Sequence, residues 1–136
     1  MELQKANEKN IEELAHLNLD LMLAEKYDQL KTIAELIPRM RTFLETDYEA
    51  YFVIHKKLKA GYILIKCTSE PIYIRQFYIK PEFQRIGLGQ KTIKMIKDIY
   101  STKIIDVEVM AWNELGFNFW KKAGFQLRCY SLRLTE

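Results

Sequence analysis

The sequence predicts an α+β (mixed α/β) fold: a central, mostly antiparallel mixed sheet with helices on both faces. Three observations carry this. Apolar residues recur at spacings of three and four in residues 10–26 and again in 31–45, the signature of amphipathic helices. Residues 51–79 switch to short runs rich in β-branched and aromatic side chains, separated by charged or turn-forming segments. Residues 88–125 then alternate helix, strand and helix, so a β-α-β crossover follows antiparallel hairpins.

In order, a short strand is expected at Leu3–Ala6, then a helix from Asn10 to about Lys26 that buries Ile11, Leu14, Leu17 (or Asn18) and Leu21. A second helix, about Lys31 to Glu45, carries Ile33, Leu36, Ile37, Met40 and Leu44; Pro38 inside it predicts a bend or a split. Tyr51–Ile54 and Gly61–Ile65 read as a hairpin across Lys56-Lys57-Leu58-Lys59, and a third strand runs from Ile72 to Ile79, stopping at Pro81. A helix over Leu88–Tyr100 buries Leu88, Thr92, Ile96 and Ile99 and turns Lys91, Lys94 and Lys97 to water. A strand at Ile104–Met110 leads to a helix capped by Asn113 and stopped at Gly124, and a last strand is expected from about Gln126 to Leu134.

The 136 residues suffice for one domain, 1–136, with one core. Hydrophobic residues at 49% and charged residues at 29% exclude a disordered chain, and no apolar run approaches the ~20 residues of a bilayer crossing. The start Met1-Glu2-Leu3-Gln4-Lys5 lacks the apolar stretch of a signal peptide, so a cytoplasmic location is expected. Cys67 and Cys129 fit no metal spacing and read as small buried hydrophobes in a reducing compartment. A net charge of +3 is too weak to argue for nucleic acid, and the clusters His55-Lys56-Lys57 and Lys121-Lys122 read as solvated surface.

The segment most suggestive of chemistry is Gln84-Arg85-Ile86-Gly87-Leu88-Gly89-Gln90, where a glycine-containing turn opens a helix. Glycines let the backbone come close to a ligand. The first helical turn adds unpaired N–H groups and the positive end of its dipole, and Arg85 adds a fixed charge, so a phosphate or pyrophosphate is the natural guest. The turn is not a P-loop: Arg85 stands where that motif needs glycine, and Gly89-Gln90-Lys91-Thr92 has one residue too many before the lysine. Nor is it a dinucleotide fingerprint, because Gly87 comes eight residues after Ile79 and Thr92 replaces the third glycine. Taken alone, a plain glycine-rich turn explains it equally well.

Its surroundings are more specific. Ile72 to Gly89, a strand ending in a β-branched residue followed by Lys80-Pro81-Glu82 and Gln84-Arg85-Ile86-Gly87-Leu88-Gly89, resembles the central motif of the GNAT (GCN5-related N-acetyltransferase) superfamily. Val107-Glu108-Val109, Asn113 and Phe119-Trp120-Lys121-Lys122-Ala123-Gly124-Phe125 resemble the family's last motif, and the likeness covers about Tyr51 to Phe125. The resemblance implies that the main chain of Phe77, Tyr78 and Ile79 pairs with the pantetheine arm of acetyl-CoA. It places the pyrophosphate on the amides from Gln84 to Gln90, gives Asn113 a hydrogen bond to the pantetheine or the acceptor region, and lets Trp120 shape the sulfur pocket. The partners expected are acetyl-CoA as co-substrate and an amine acceptor, with no metal, nucleic acid or membrane, and with a homodimer as the assembly considered.

Two positions depart from the family pattern. Trp120 stands where the family carries a tyrosine that protonates the leaving thiolate, and an indole N–H is no usable acid. A thiol with a pKa of about 8.5 can leave unassisted, and Tyr78 and Tyr130 are the substitutes considered. Arg75 and Gln76 stand where relatives carry a glutamate base, which leaves Glu108 or a chain of waters. The acidic residues Glu25, Asp28, Glu35, Glu45, Asp47 and Glu49 are available to attract a cationic acceptor, or are simply solvated. Two functions therefore stay open: transfer of an acetyl group to a primary amine of a small molecule or peptide, and a non-catalytic acyl-CoA-binding module of the same fold.

Overall fold

A computed structural model describes residues 1–102 and 104–136. Five strands form one sheet in the order β1-β2-β3-β4-β5: β1 (Glu2–Lys5), β2 (Tyr48–His55), β3 (Leu58–Lys66), β4 (Ile72–Ile79) and β5 (Ile105–Val107). The first four are antiparallel to their neighbours, and β5 lies parallel to β4 after the crossover through α3 (Leu88–Ile99). α1 (Ile11–Ala24) and α2 (Ile33–Glu45) come between β1 and β2, and α4 (Glu114–Lys122) follows β5. This is the mixed, mostly antiparallel sheet that the sequence predicts.

The continuous apolar stretches explain why both faces are covered. Ala50–Ile54 of β2 and Ala60–Ile65 of β3 are buried without a break, which a strand needs only when helices pack on both sides. On one face Phe52, Tyr62, Leu64 and Tyr78 meet Leu14, Leu17 and Leu21 of α1 and Met40 of α2. On the other Tyr51, Ile63, Ile72 and Ile74 meet Ile93 and Ile96 of α3 and Trp120 of α4. A capping box fixes the start of α2: Glu35 N–H donates to Thr32 Oγ1 (3.2 Å) and Thr32 N–H to Glu35 Oε1 (2.9 Å).

β4 changes faces halfway. Ile65 pairs with Ile74 and Leu64 with Gln76, which leaves Arg75 as the extra residue of a β-bulge. Ile72 and Ile74 point to α3 and α4, whereas Gln76 and Tyr78 point to α1. The exposed Arg75 guanidinium donates to the Tyr48 hydroxyl (3.3 Å) and lies 5.0 Å from the centre of the Phe43 ring. Below the bulge is a buried polar chain: Tyr62 OH donates to Gln76 Oε1 (2.8 Å), and Gln76 Nε2 donates to Asn18 Oδ1 (3.3 Å). Gln76→Ala strips both neighbours of a buried partner. Urea unfolding is expected to show a loss of roughly 2–3 kcal/mol, and a loss below about 0.5 kcal/mol would mean that the chain contributes nothing.

Several sequence expectations need correction. Pro38 does not split its helix; α2 is one element from Ile33 to Glu45. In α3 the fourth buried apolar position is Ile93, while Ile99 at the helix end is exposed. β5 covers Ile105–Val107, shorter than Ile104–Met110. The last strand, expected at Gln126–Leu134, does not form: residues 126–136 have no regular structure, and Tyr130, Leu132 and Leu134 are largely exposed. A strand exists only through its ladder, and a three-residue edge offers a short one. Cys129 in that segment is exposed and Cys67 half-buried, so neither is the buried small hydrophobe expected. Among the described residues no helix is long and apolar enough to cross a membrane.

Candidate functional site

The site begins where β4 and β5 part. Their pairing is confined to Ile72–Ile74 with Ile105–Val107. Beyond it, Phe77, Tyr78 and Ile79 keep β3 on one side, opposite Ile63, Tyr62 and Gly61. On the other side the strand has no ladder partner among the described residues, so its edge toward β5 opens there as a free strand edge. The bulge at Arg75 sits just past the end of the pairing with β5, where the twist that bulges impose works against a continued ladder.

The turn from β4 to α3 closes one end of this opening. Gln84 Nε2 donates to the Ile79 carbonyl (2.8 Å), so its side chain ties the turn to the strand end. Arg85 (φ 66°) and Gly87 (φ 84°) both take left-handed backbone. Such residues curl successive N–H groups toward one concavity, an arrangement that binds anions. The first helical bond of α3 is Lys91 N–H to Gly87 O (3.2 Å), so the amides of Leu88, Gly89 and Gln90 precede any intrahelical partner. The two glycines differ in purpose. A Cβ on Gly87 meets nothing within 4 Å, and its requirement is its φ; a Cβ on Gly89 would lie 2.6 Å from Phe119 Cε1. Gly89 therefore also serves the packing of α3 on α4. Arg85 and Ile86 are exposed at the rim, and Leu88 is buried.

Asn113 caps α4, accepting from Gly116 N–H (3.0 Å), and its Nδ2 donates to Glu25 Oε2 (3.2 Å). One Nδ2 proton remains for a guest. Trp112 Nε1 donates to the Glu25 carbonyl (3.1 Å), so two bonds fasten the C-terminal end of α1 to the loop before α4. Trp120 is buried in an aromatic cluster, its ring centre 5.8 Å from Phe77, 4.9 Å from Phe119 and 5.0 Å from Phe125. It thus underlies the side of β4 that faces α3 and α4.

The proton-transfer candidates fall in different places. Glu108 directly follows β5 at the apex of the opening, where its Oε1 accepts from Tyr73 OH (2.8 Å). Burial, followed by that bond, pushes the Tyr73 phenol well above its usual range. Tyr78 points to the α1 side, and burial together with Asp20 and Glu82 raises its phenol, keeping it protonated. Tyr130 lies in the exposed C-terminal segment. Glu25, one of six acidic residues that the sequence offers for attracting a cationic acceptor, is half-buried, and burial raises its carboxyl pKa against the lowering effect of Asn113. No local signal separates it from the other five, because its partner is 88 residues away.

The family model for the acetyltransferase (GNAT) domain matches residues 20–128. The chain belongs to the GNAT acetyltransferase family. A thialysine N-epsilon-acetyltransferase of Bos taurus is 31% identical to this GNAT chain over 58 residues, 40% of the chain and 34% of that protein. The match thus spans about a third of the relative's length. Solved GNAT-like structures share the fold. A predicted acetyltransferase with acetyl-CoA from Clostridium acetobutylicum has a TM-score of 0.76 at 17% identity over 98% of this chain and 95% of its own. PaiA N-acetyltransferase from Thermoplasma acidophilum, in complex with coenzyme A, scores 0.75 at 17% identity over 96% and 92%. An aminoglycoside antibiotic 6′-N-acetyltransferase from Acinetobacter haemolyticus scores 0.79 at 13% identity over 100% and 98%.

Proposed function

We propose that residues 1–136 act as one GNAT domain that transfers the acetyl group of acetyl-CoA to a primary amine of a small molecule or peptide. The observation that carries this reading is the free edge of Phe77–Ile79 leading into the amide-lined turn at Gln84–Gln90. An extended amide-bearing arm can add to such an edge as a strand would, and a pyrophosphate suits the N-terminal end of α3. Arg85 supplies the countercharge and Asn113 its remaining Nδ2 proton; Trp120 supports the wall through Phe77. The amine attacks the thioester carbon directly, and an N–H of the open edge steadies the charge growing on the carbonyl oxygen. Glu108 and Tyr78 are the base and acid that the sequence offers for this reading; Glu108 lies just past the end of β5 and holds the Tyr73 hydroxyl. A panel of thialysine, an aminoglycoside and an N-terminal peptide amine follows from the names of the relatives above.

Two measurements test it in order. Acetyl-CoA at about 100 times its Kd is expected to raise the stability of the native state by about 2.7 kcal/mol, seen as a higher unfolding midpoint. An unchanged midpoint at saturation would remove the cofactor assignment and with it the enzyme. Thiol release across the amine panel then reports transfer. A protein that binds acetyl-CoA but releases no thiol with any amine would be the non-catalytic module instead.

A further inference from the structure

We propose that Glu25, at the C-terminal end of α1, is the general base that takes the proton of the acceptor's ammonium group, held in place by Asn113. This rests on the acetyl-transfer reading above and names the acceptor side of that same site. Glu25 Oε2 accepts from Asn113 Nδ2 (3.2 Å) on the α4 side, while its charge is felt by Tyr62, whose hydroxyl bonds Gln76 on β4 just past the bulge. Glu25 therefore stands where the end of α1 meets the loop that leads into α4.

Its surroundings set it apart from Glu108. Among the described residues the only ion pairs are Lys5–Glu49 and Lys59–Glu13, so Glu25 has no cationic partner among them. A half-buried carboxylate with one neutral donor is under-compensated, and a primary ammonium supplies what it lacks. Glu108 is exposed and already holds the Tyr73 hydroxyl. Buried Tyr62 feels the charges of Glu25, Arg39 of α2 and Asp20 of α1, whereas Glu25 itself answers to burial and to Asn113. Burial raises the Glu25 pKa, which moves it toward the range in which a carboxylate both stays ionised at neutral pH and accepts protons well.

One N–H proton of the ammonium passes to a Glu25 carboxylate oxygen, which frees the nitrogen lone pair. The nitrogen bonds to the thioester carbon and the carbon–sulfur bond breaks, its electron pair leaving on sulfur. The second N–H proton goes to the thiolate, and Glu25 then loses its proton to water.

The test compares Glu25→Gln, Glu108→Gln and the parent chain, using the best amine of the panel. Glu25→Gln is expected to keep the acetyl-CoA-induced rise in midpoint and to lose roughly 100-fold in kcat/KM at pH 7. That loss shrinks as pH approaches the amine's own pKa of about 10, where free amine no longer needs a base. The folded protein holds the Glu25 proton more tightly than the unfolded chain, so ionising it costs stability as pH rises above the usual carboxylate range. Glu25→Gln removes that cost and is expected to unfold at a higher temperature than the parent at pH 7, so a folding defect does not explain lost activity. Full activity with an unchanged pH profile in Glu25→Gln overturns the proposal, as does a base limb that vanishes in Glu108→Gln alone. A readout free of turnover is the carbon-13 carboxyl signal of Glu25 in the acetyl-CoA complex: butylammonium chloride should shift its titration to lower pH, and no shift overturns the assignment. Failure of acetyl-CoA to bind the parent would instead strike the function proposed above, which keeps the two failures separate.

Discussion

Gly61→Val is expected to cost the protein at least about 3 kcal/mol, the upper end of what overpacking does. A Cβ on Gly61 would lie 1.9 Å from the Tyr78 carbonyl oxygen and 3.0 Å from Ile79 Cα, all of it backbone. No side chain can swing aside to make room, so β3 and β4 must separate at the very residues that border the site. The loss should appear in urea unfolding as a lower midpoint with an unchanged slope. Because the displaced segment is Tyr78–Ile79, acetyl-CoA affinity should fall with it even where the variant remains folded. A variant within 1 kcal/mol of the parent would show that the two strands do not approach this closely.

The second large effect concerns binding alone. Arg85→Ala combined with Gly87→Ala is expected to weaken acetyl-CoA binding roughly 100-fold by calorimetric titration. Losing a charged phosphate contact costs about 1.5–3 kcal/mol, and forcing a Cβ onto left-handed backbone costs about 1–2 kcal/mol; every 1.4 kcal/mol is tenfold. The turn is exposed, so the fold should survive. Gly89→Ala is the informative contrast. Its Cβ meets the Phe119 ring rather than a ligand, so it should lower stability through α3–α4 packing and change affinity less. A double variant that binds as tightly as the parent would refute the phosphate site at this turn.

Much of the architecture was legible because it rests on local periodicity. Ile11, Leu14, Leu17 and Leu21 recur at helical spacing, and Ala50–Ile54 and Ala60–Ile65 are apolar on both faces, so helices and buried strands follow from neighbours along the chain. Asn113 and Gly124 marked the ends of α4 for the same reason, one by accepting the Gly116 N–H and the other by taking φ 105°. Residues 126–134 misled: Leu127, Cys129, Leu132 and Leu134 look like a strand, but a strand needs a partner that the local pattern does not supply.

By itself the sequence determined the order of elements from β1 to α4 and the family, and it marked the turn at Gln84–Gly89 as the expected anion site, since each depends on residues close together in the chain. Only the tertiary structure decided where the sheet opens. The bulge at Arg75 exists in the pairing of Leu64 and Ile65 with Gln76 and Ile74, and it alone turns Gln76 and Tyr78 toward α1. The same holds for the glycines: sequence treated Gly87 and Gly89 alike, and packing separates a φ requirement from a space requirement. It holds most of all for Glu25. Desolvation and hydrogen bonding depend on distance in space, and only folding brings Glu25 to Asn113.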